Sequence, residues 1–237
     1  MTINDVFSDT FKAIRKTISP EVRKRVDFSL PSMPMVEACR ADGFDFFEPF
    51  IAEGLLTVEQ MHHACQRYHL GKTKNGRPIF WMIDDMLTPL DAHIGTDTWL
   101  STLLKAREPL LAPWQVTHCL FGLHLCQSKD PCQSVQSVAV VESEKSAILL
   151  SELFPEALWM AYATIGHFSP ELFAPLQGHT VILYPRTDPV GDYYLASLEL
   201  ADQVRRLYHL DISVDSTLEH HATPEQKAAK IDLVDFL

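Results

Sequence analysis

The stretch from Val138 to Ala147 constrains the fold of this chain more than any other. Four apolar residues, Val138 to Val141, are followed at once by a single acid, Glu142, and then by helix-forming residues. Such an apolar run predicts a strand buried on both faces, as in a parallel sheet. In open parallel sheets, ligands and metals bind at the carboxyl ends of the strands. We therefore expect the Glu142 carboxylate at a functional edge of a sheet.

After residue 133 the sequence alternates between predicted strands and helices. Strands are predicted at 138–141, 157–161, 180–184 and 211–214, and helices at 145–153 and 192–208. This order predicts an α/β unit with a four-stranded, mainly parallel sheet flanked by helices. Earlier in the chain, helical periodicity is interrupted by a hairpin with strands at 78–83 and 90–94. We predict a helical and β-hairpin N-terminal portion, residues 1–133, and an α/β domain, residues 134–237.

A further apolar stretch, residues 113–126, has helical spacing and is predicted to form one helix. Two histidines and two cysteines within it suggest zinc: His118, Cys119, His124 and Cys126. Their spacing fits no compact zinc pattern, and an apolar helix face accounts for the cysteines, so we expect no zinc here. The odd total of five irregularly spaced cysteines predicts reduced thiols in a cytoplasmic protein.

The net charge and the hydropathy of the chain limit the partners that we expect it to bind. With 31 acidic and 20 basic residues the net charge is −11, which argues against a protein that coats nucleic acid with its whole surface. A local basic patch or a metal-bridged contact stays open. Six basic residues between Lys12 and Arg25 fit a phosphate-contacting arm, although base rates favour a solvated helix face. Without a long apolar run or a secretory signal pattern, we expect a cytoplasmic protein with no membrane partner.

A second acid follows another predicted strand. Strand 180–184 leads into Pro185-Arg-Thr-Asp-Pro-Val-Gly191, which contains Asp188. If the two strands are parallel neighbours, Glu142 and Asp188 face one crevice. Paired carboxylates suit Mg²⁺, which is shared with substrate phosphates and organises phosphoryl transfer or phosphodiester cleavage. Two alternatives stay open: Glu142 caps the following helix, and Asp188 is a turn residue before Pro189.

The two stretches together resemble the toprim domain of bacterial primases, type IA and type II topoisomerases and overcoming-lysogenization-type nucleases. The motifs stand here as Val-Val-Glu142-Ser-Glu144-Lys145 and Leu-Tyr-Pro-Arg186-Thr-Asp188-Pro-Val-Gly191. Over roughly residues 40–237 the chain is more closely similar to toprim-containing, primase-like proteins of Bacteroidetes and their mobile elements. Supporting stretches are 68–71, 79–84, 119–125, 140–147 and 218–225.

The resemblance implies roles for the two acids. Glu142 matches the glutamate that acts as general acid and base, and Asp188 matches an aspartate that binds Mg²⁺. The metal would therefore lie near Glu142 and Asp188. Arg186 stands where the family has its first aspartate. A guanidinium cannot ligate Mg²⁺, but it can hold a phosphate.

Three further residues are candidates for the same site. Lys145, in the first turn of the predicted helix, is a candidate for binding phosphate or nucleic acid. Glu144 is a weaker candidate, as a carboxylate that compensates for the lost aspartate. His167 is another weak candidate, because it follows the second predicted strand on the crevice side.

Two functions are consistent with these residues, and whether the chain is an enzyme stays open. The first is Mg²⁺-dependent nucleotidyl transfer or phosphodiester chemistry on DNA, in replication or mobile-element maintenance; the intact Glu142 stretch favours it. The second is a catalytically weakened toprim module that binds nucleic acid or a replication protein without turnover. Arg186, the net charge and the lack of the cysteine zinc ribbon found in part of that group favour the second. DNA or a nucleotide is the expected ligand, with replication or mobilisation proteins as candidate partners.

Overall fold

The computed structural model describes residues 30–107, 116–127, 137–163 and 168–237. Three features discussed above lie outside these ranges: the basic residues between Lys12 and Arg25, the boundary predicted between residues 133 and 134, and His167.

The described residues form a mixed α/β structure. The strands are β1 Gly71–Lys72, β2 Pro78–Ile83, β3 Pro89–Ile94, β4 Thr98–Trp99, β5 Val138–Val141, β6 Leu158–Ala161, β7 Thr180–Leu183 and β8 Asp211–Val214. The helices are α1 Met33–Ala38, α2 Glu48–Ala52, α3 Val58–Arg67, α4 Leu100–Arg107, α5 Glu144–Leu153, α6 Asp192–Tyr208, α7 Thr217–His221, α8 Pro224–Ala229 and α9 Leu233–Phe236.

The first sheet is antiparallel and has the order β1-β2-β3-β4. Its centre is the predicted hairpin, in which Phe80 pairs with His93 and Trp81 with Ala92. Strand β2 is apolar along its length, and Ile79 to Ile83 are buried. Because side chains alternate between the two faces of a strand, burial at every position means that both faces of β2 are covered.

The second sheet is parallel and has the order β6-β5-β7-β8. Strand β5 lies in the interior of this sheet, where Val138 pairs with Leu158 on one side and Val181 on the other. The predicted four-stranded sheet flanked by helices is confirmed. Since β5 and β7 are parallel neighbours, the segments that follow them leave the sheet at the same edge.

One buried apolar cluster joins the two sheets. Phe80 from β2 and Val140 from β5 both belong to it. Tyr68, which follows α3, is also in the cluster, and its hydroxyl donates to the carbonyl of Trp159 at 2.8 Å. The core therefore contains residues from both sides of the predicted domain boundary.

The prediction of one helix over 113–126 is wrong for the residues that the structure describes. Residues 116–120 are not helical, and Leu123–Gln127 form a 3-10 turn. Between them, Phe121 makes an antiparallel bridge with Ala161, with N–H···O distances of 2.8 and 3.1 Å. The exposed backbone groups of the edge strand β6 bind this segment, and that contact outweighs the local helical spacing.

Within the described ranges no helix is both long enough and apolar enough to span a membrane.

Candidate functional site

A cleft of about 550 Å³ opens where β5 and β7 end. Its charged wall contains Glu142, Glu144, Lys145, Arg186, Asp232 and Asp235. Its apolar wall includes Phe46, Phe50 and Phe80. The cleft therefore combines four acids, two bases and three phenyl rings, and it contains most of the residues predicted from the sequence.

Glu142 follows β5 directly and has 14% of its side chain exposed. Its Oε2 lies 3.3 Å from Nη1 of Arg186. Burial raises the pKa of Glu142, and the nearby carboxylate of Asp232 raises it further, while Arg186 acts in the opposite direction. Glu142 is thus a partly desolvated acid held against one base.

Arg186 uses its other two nitrogens inside the chain. Its Nε and Nη2 both donate to the carbonyl of Lys230, at 3.1 and 2.7 Å. The guanidinium carbon also lies 5.5 Å from the ring centroid of Tyr193. Arg186 is therefore fixed in the cleft beside Glu142.

Asp188 does not line this cleft, although it follows β7, which is a parallel neighbour of β5. The residue is 3% exposed. Its carboxylate accepts hydrogen bonds from the backbone N–H groups of Val190, Gly191 and Tyr193, at 3.0, 3.0 and 2.9 Å. Burial alone would raise the pKa of Asp188, but these bonds outweigh it and the pKa is lowered. Asp188 therefore satisfies the N–H groups at the start of α6, which have no partner within the helix.

The turn after Asp188 explains why the Asp188 carboxylate meets the start of α6 and not the cleft. Gly191 has a φ of 80°, in the left-handed region that glycine adopts most readily. This conformation brings the N–H groups that follow β7 around one carboxylate. This arrangement agrees with the alternative stated in the sequence analysis, in which Asp188 is a turn residue before Pro189 and not a metal ligand.

These positions do not fit a Mg²⁺ shared by Glu142 and Asp188. Both carboxylate oxygens of Asp188 accept backbone bonds outside the cleft, and the cation next to Glu142 is Arg186. In the part of the chain that the structure describes, no cluster of three or more His, Cys, Asp or Glu side chains is arranged to hold a metal ion. Mg²⁺ binding and a catalytic role for Glu142 stay predictions.

Asp232 and Asp235 are cleft acids that the sequence did not indicate, and Asp232 is the one that lies near Glu142. Its Oδ1 accepts from the N–H of Leu233 at 2.7 Å, and its Oδ2 lies 3.4 Å from the N of Ser143, just before α5. The Ser146 hydroxyl also bonds to it. The pKa of Asp232 is raised because burial outweighs these bonds. The only sequence signal was the spacing of Asp232 and Asp235, which predicts a helix cap and not a contact with α5.

Glu144 pairs with His93, a contact that the sequence did not indicate. Its Oε1 lies 2.7 Å from Nδ1 of His93 on β3, with 6% and 5% of the two side chains exposed. Trp99 stacks on the His93 ring at a centroid distance of 4.9 Å. Glu144 therefore links the first turn of α5 to the antiparallel sheet. Lys145, next in the chain, lies with its Nζ 5.8 Å from the ring centroid of Phe46.

Comparison with known families gives one match. Residues 88–187 match the model of a family described as a domain of unknown function (DUF6371). The matched segment covers less than half of the chain. It begins one residue before β3 and ends one residue before Asp188. It includes His93, Glu142 and Arg186, but not Asp232. No curated protein and no solved structure matches the chain.

Proposed function

We propose that this chain is a toprim-like module that binds nucleic acid or a nucleotide in the cleft at the ends of β5 and β7 and does not turn it over. One observation carries the proposal. The guanidinium of Arg186 lies in the cleft beside Glu142, while Asp188 is used to cap α6. The residues that would hold a metal in the family are thus converted into a base and a structural cap.

The cleft offers the groups that a nucleotide needs. Arg186 and Lys145 are the basic residues among those that line it, and a guanidinium binds phosphate oxygens through two parallel hydrogen bonds. Phe46 and Phe50 line the same space. Aromatic rings beside basic side chains are typical of single-strand binding, in which bases stack without sequence preference.

The acids of the cleft are largely paired or hydrogen-bonded within the chain. They therefore repel an anionic ligand less than the net charge of −11 suggests. Glu144 is paired with His93, and Asp232 accepts hydrogen bonds around the start of α5. The pKa of Glu142 is raised by burial, so its negative charge is disfavoured.

A second candidate keeps Mg²⁺-dependent nucleotidyl transfer or phosphodiester chemistry on DNA. The observation in its favour is that Glu142 and Asp232 line the same cleft and that Asp232 raises the pKa of Glu142. Such mutual repulsion attracts a divalent cation. In this candidate Asp232 takes the place predicted for Asp188. A context of DNA replication or mobile elements rests on the toprim resemblance alone.

One set of variants separates the two candidates. Binding of a fluorescent single-stranded oligodeoxynucleotide is measured for wild type, Arg186→Ala and the control Arg206→Ala, whose side chain is exposed on α6. The first candidate predicts that Arg186→Ala weakens binding about tenfold or more, as charge-assisted hydrogen bonds are lost. Arg206→Ala, with the same change in charge, has little effect.

Turnover is assayed with Mg²⁺ and with Mn²⁺, as nicking and as primer synthesis. The first candidate predicts no product. Product formation by wild type that is lost in Glu142→Gln would establish the second candidate. Binding that is equally strong in Arg186→Ala and wild type would overturn the first.

A further inference from the structure

Residues 230–235, which we call the C-terminal strap, contact the cleft through three oxygen-bearing groups. The carbonyl of Lys230 accepts both Nε–H and Nη2–H of Arg186. The carbonyl of Ile231 accepts the N–H of Thr187 at 3.0 Å. The carboxylate of Asp232 lies against the first turn of α5. The strap therefore supplies acceptors to two chain segments that the cleft brings together.

These acceptors lie where phosphate oxygens would bind. The Nε and Nη2 edge of an arginine is the edge that holds a phosphate or carboxylate with two parallel bonds, and Lys230 occupies that edge. The start of α5, a ten-residue helix, favours anions through its free N–H groups and its dipole, and the Asp232 carboxylate occupies it. Both anion-binding features of the cleft are thus filled by the chain itself.

The docked strap also carries a feature that opposes docking. Asp232 is 7% exposed and lies close enough to Glu142 to raise the pKa of that carboxyl. Docking therefore buries one carboxylate near another, and displacement of the strap by a competing anion would relieve this cost.

We propose that the C-terminal strap is an internal mimic of the ligand, which occupies the phosphate site at Arg186 and α5 and is displaced when a nucleic-acid or nucleotide phosphate binds. The inference rests on the proposed function, because it takes Arg186 as the phosphate-binding residue. It adds regulation to that site: affinity for the ligand is set by competition with residues 230–235.

The first test measures affinity for a fluorescent single-stranded oligodeoxynucleotide in the full chain. Asp232→Asn removes the competing charge and keeps a side-chain oxygen that accepts from Leu233. The control is Asp215→Asn, which makes the same change in charge at a cap outside the cleft, where Asp215 accepts from Thr217. We expect Asp232→Asn to bind about tenfold more tightly, since one charge-assisted hydrogen-bonding group is removed from the competitor, and Asp215→Asn to bind as wild type does.

The second test needs no variant. Hydrogen exchange at the Thr187 amide reports the strap, because that N–H is bonded to Ile231. Saturating oligonucleotide is expected to speed exchange at Thr187, while exchange at Ile182, which lies within β7, stays unchanged. Slower or unchanged exchange at Thr187 in the saturated protein would overturn displacement.

The outcomes separate the inference from the function on which it rests. If wild type binds through Arg186 and Asp232→Asn binds no more tightly, the competition is refuted and the proposed function stands. If neither protein binds in a way that depends on Arg186, both are refuted.

Discussion

Nδ1 of His93 lies 2.7 Å from Oε1 of Glu144, in a buried pair that joins the antiparallel sheet to the first turn of α5. Glu144 is two residues from Glu142, so the pair fixes the turn that carries the cleft acid. Because the Glu144 carboxylate is held by the imidazole, it is not available as a metal ligand. The antiparallel sheet and α5 are thus linked within the wall of the candidate site.

His93→Leu tests this link. Removing the imidazole leaves Glu144 buried without its partner, which costs about 3–5 kcal/mol of unfolding free energy. The control is Arg40→Leu, because Arg40 pairs with Glu37 at 3.3 Å and both side chains are exposed, at 40% and 48%; an exposed pair contributes at most about 1 kcal/mol. Urea unfolding measures both. Equal losses in the two variants would contradict a structural role for the buried pair.

Asp188→Ala tests whether Asp188 is a cap or a metal ligand. Three backbone bonds at the start of α6 are lost, and we expect a loss of about 1–2 kcal/mol, typical of a helix cap. Asp202→Ala, which removes an exposed ion pair with Arg206 on the same helix, costs about 0.5 kcal/mol or less. Any thermal stabilisation by Mn²⁺ is expected to be the same in Asp188→Ala as in wild type. Loss of that response only in Asp188→Ala would restore the sequence-based metal site.

Glu142→Gln tests the raised pKa of Glu142. The folded chain binds a proton at Glu142 at a higher pH than the unfolded chain, in which the glutamate pKa is about 4.3. The unfolding free energy contributed by this group therefore increases as pH falls from neutral through the raised pKa, and levels off below the ordinary value. Glutamine does not titrate. We expect Glu142→Gln to be more stable than wild type at neutral pH, with a difference that disappears as pH falls, measured by urea unfolding at several pH values. A difference independent of pH would refute the shift.

Lys230→Gly tests the strained position at which the C-terminal strap begins. Lys230 ends α8 with a φ of 55°, where glycine is the preferred residue. We expect the free energy of unfolding to increase by about 0.5–1 kcal/mol. Glycine relieves the left-handed strain, and its greater flexibility in the unfolded chain offsets part of that gain. Ala228→Gly, within α8, is the control and should lose about 0.5–1 kcal/mol. A loss in both variants would show that the Lys230 side chain matters more than its backbone.

Local interactions made much of the fold predictable. Val138 to Val141 form the predicted strand, and residues 192–208 form the predicted helix. Thr57 followed three residues later by Gln60 is a capping pattern that predicts the start of a helix. The Thr57 N–H donates to Gln60 Oε1 at 3.0 Å and the Gln60 N–H donates to Thr57 Oγ1 at 3.1 Å, at the start of α3. Each of these elements depends on residues close together in sequence, so periodicity and capping chemistry were sufficient to predict them.

Contacts distant in sequence could not be predicted in the same way. The bridge of Phe121 to Ala161 replaced a predicted helix, because an edge strand offers backbone partners that periodicity does not reveal. The pairing of Asp232 with the start of α5 joins residues 89 positions apart. Nothing near either residue indicates that contact.

By itself, the sequence determined that a buried strand delivers Glu142 to the edge of a parallel sheet, and that Arg186 follows another predicted strand of that sheet. Strand burial and chain order are sufficient for that conclusion. Only the tertiary structure decided which side chains meet there. Asp188 turns to the free N–H groups of α6, while Asp232 arrives from the C-terminal strap and lies at the start of α5. A strand fixes where a residue leaves the sheet, but the direction of its side chain is set by hydrogen-bond partners that only the folded chain brings within reach.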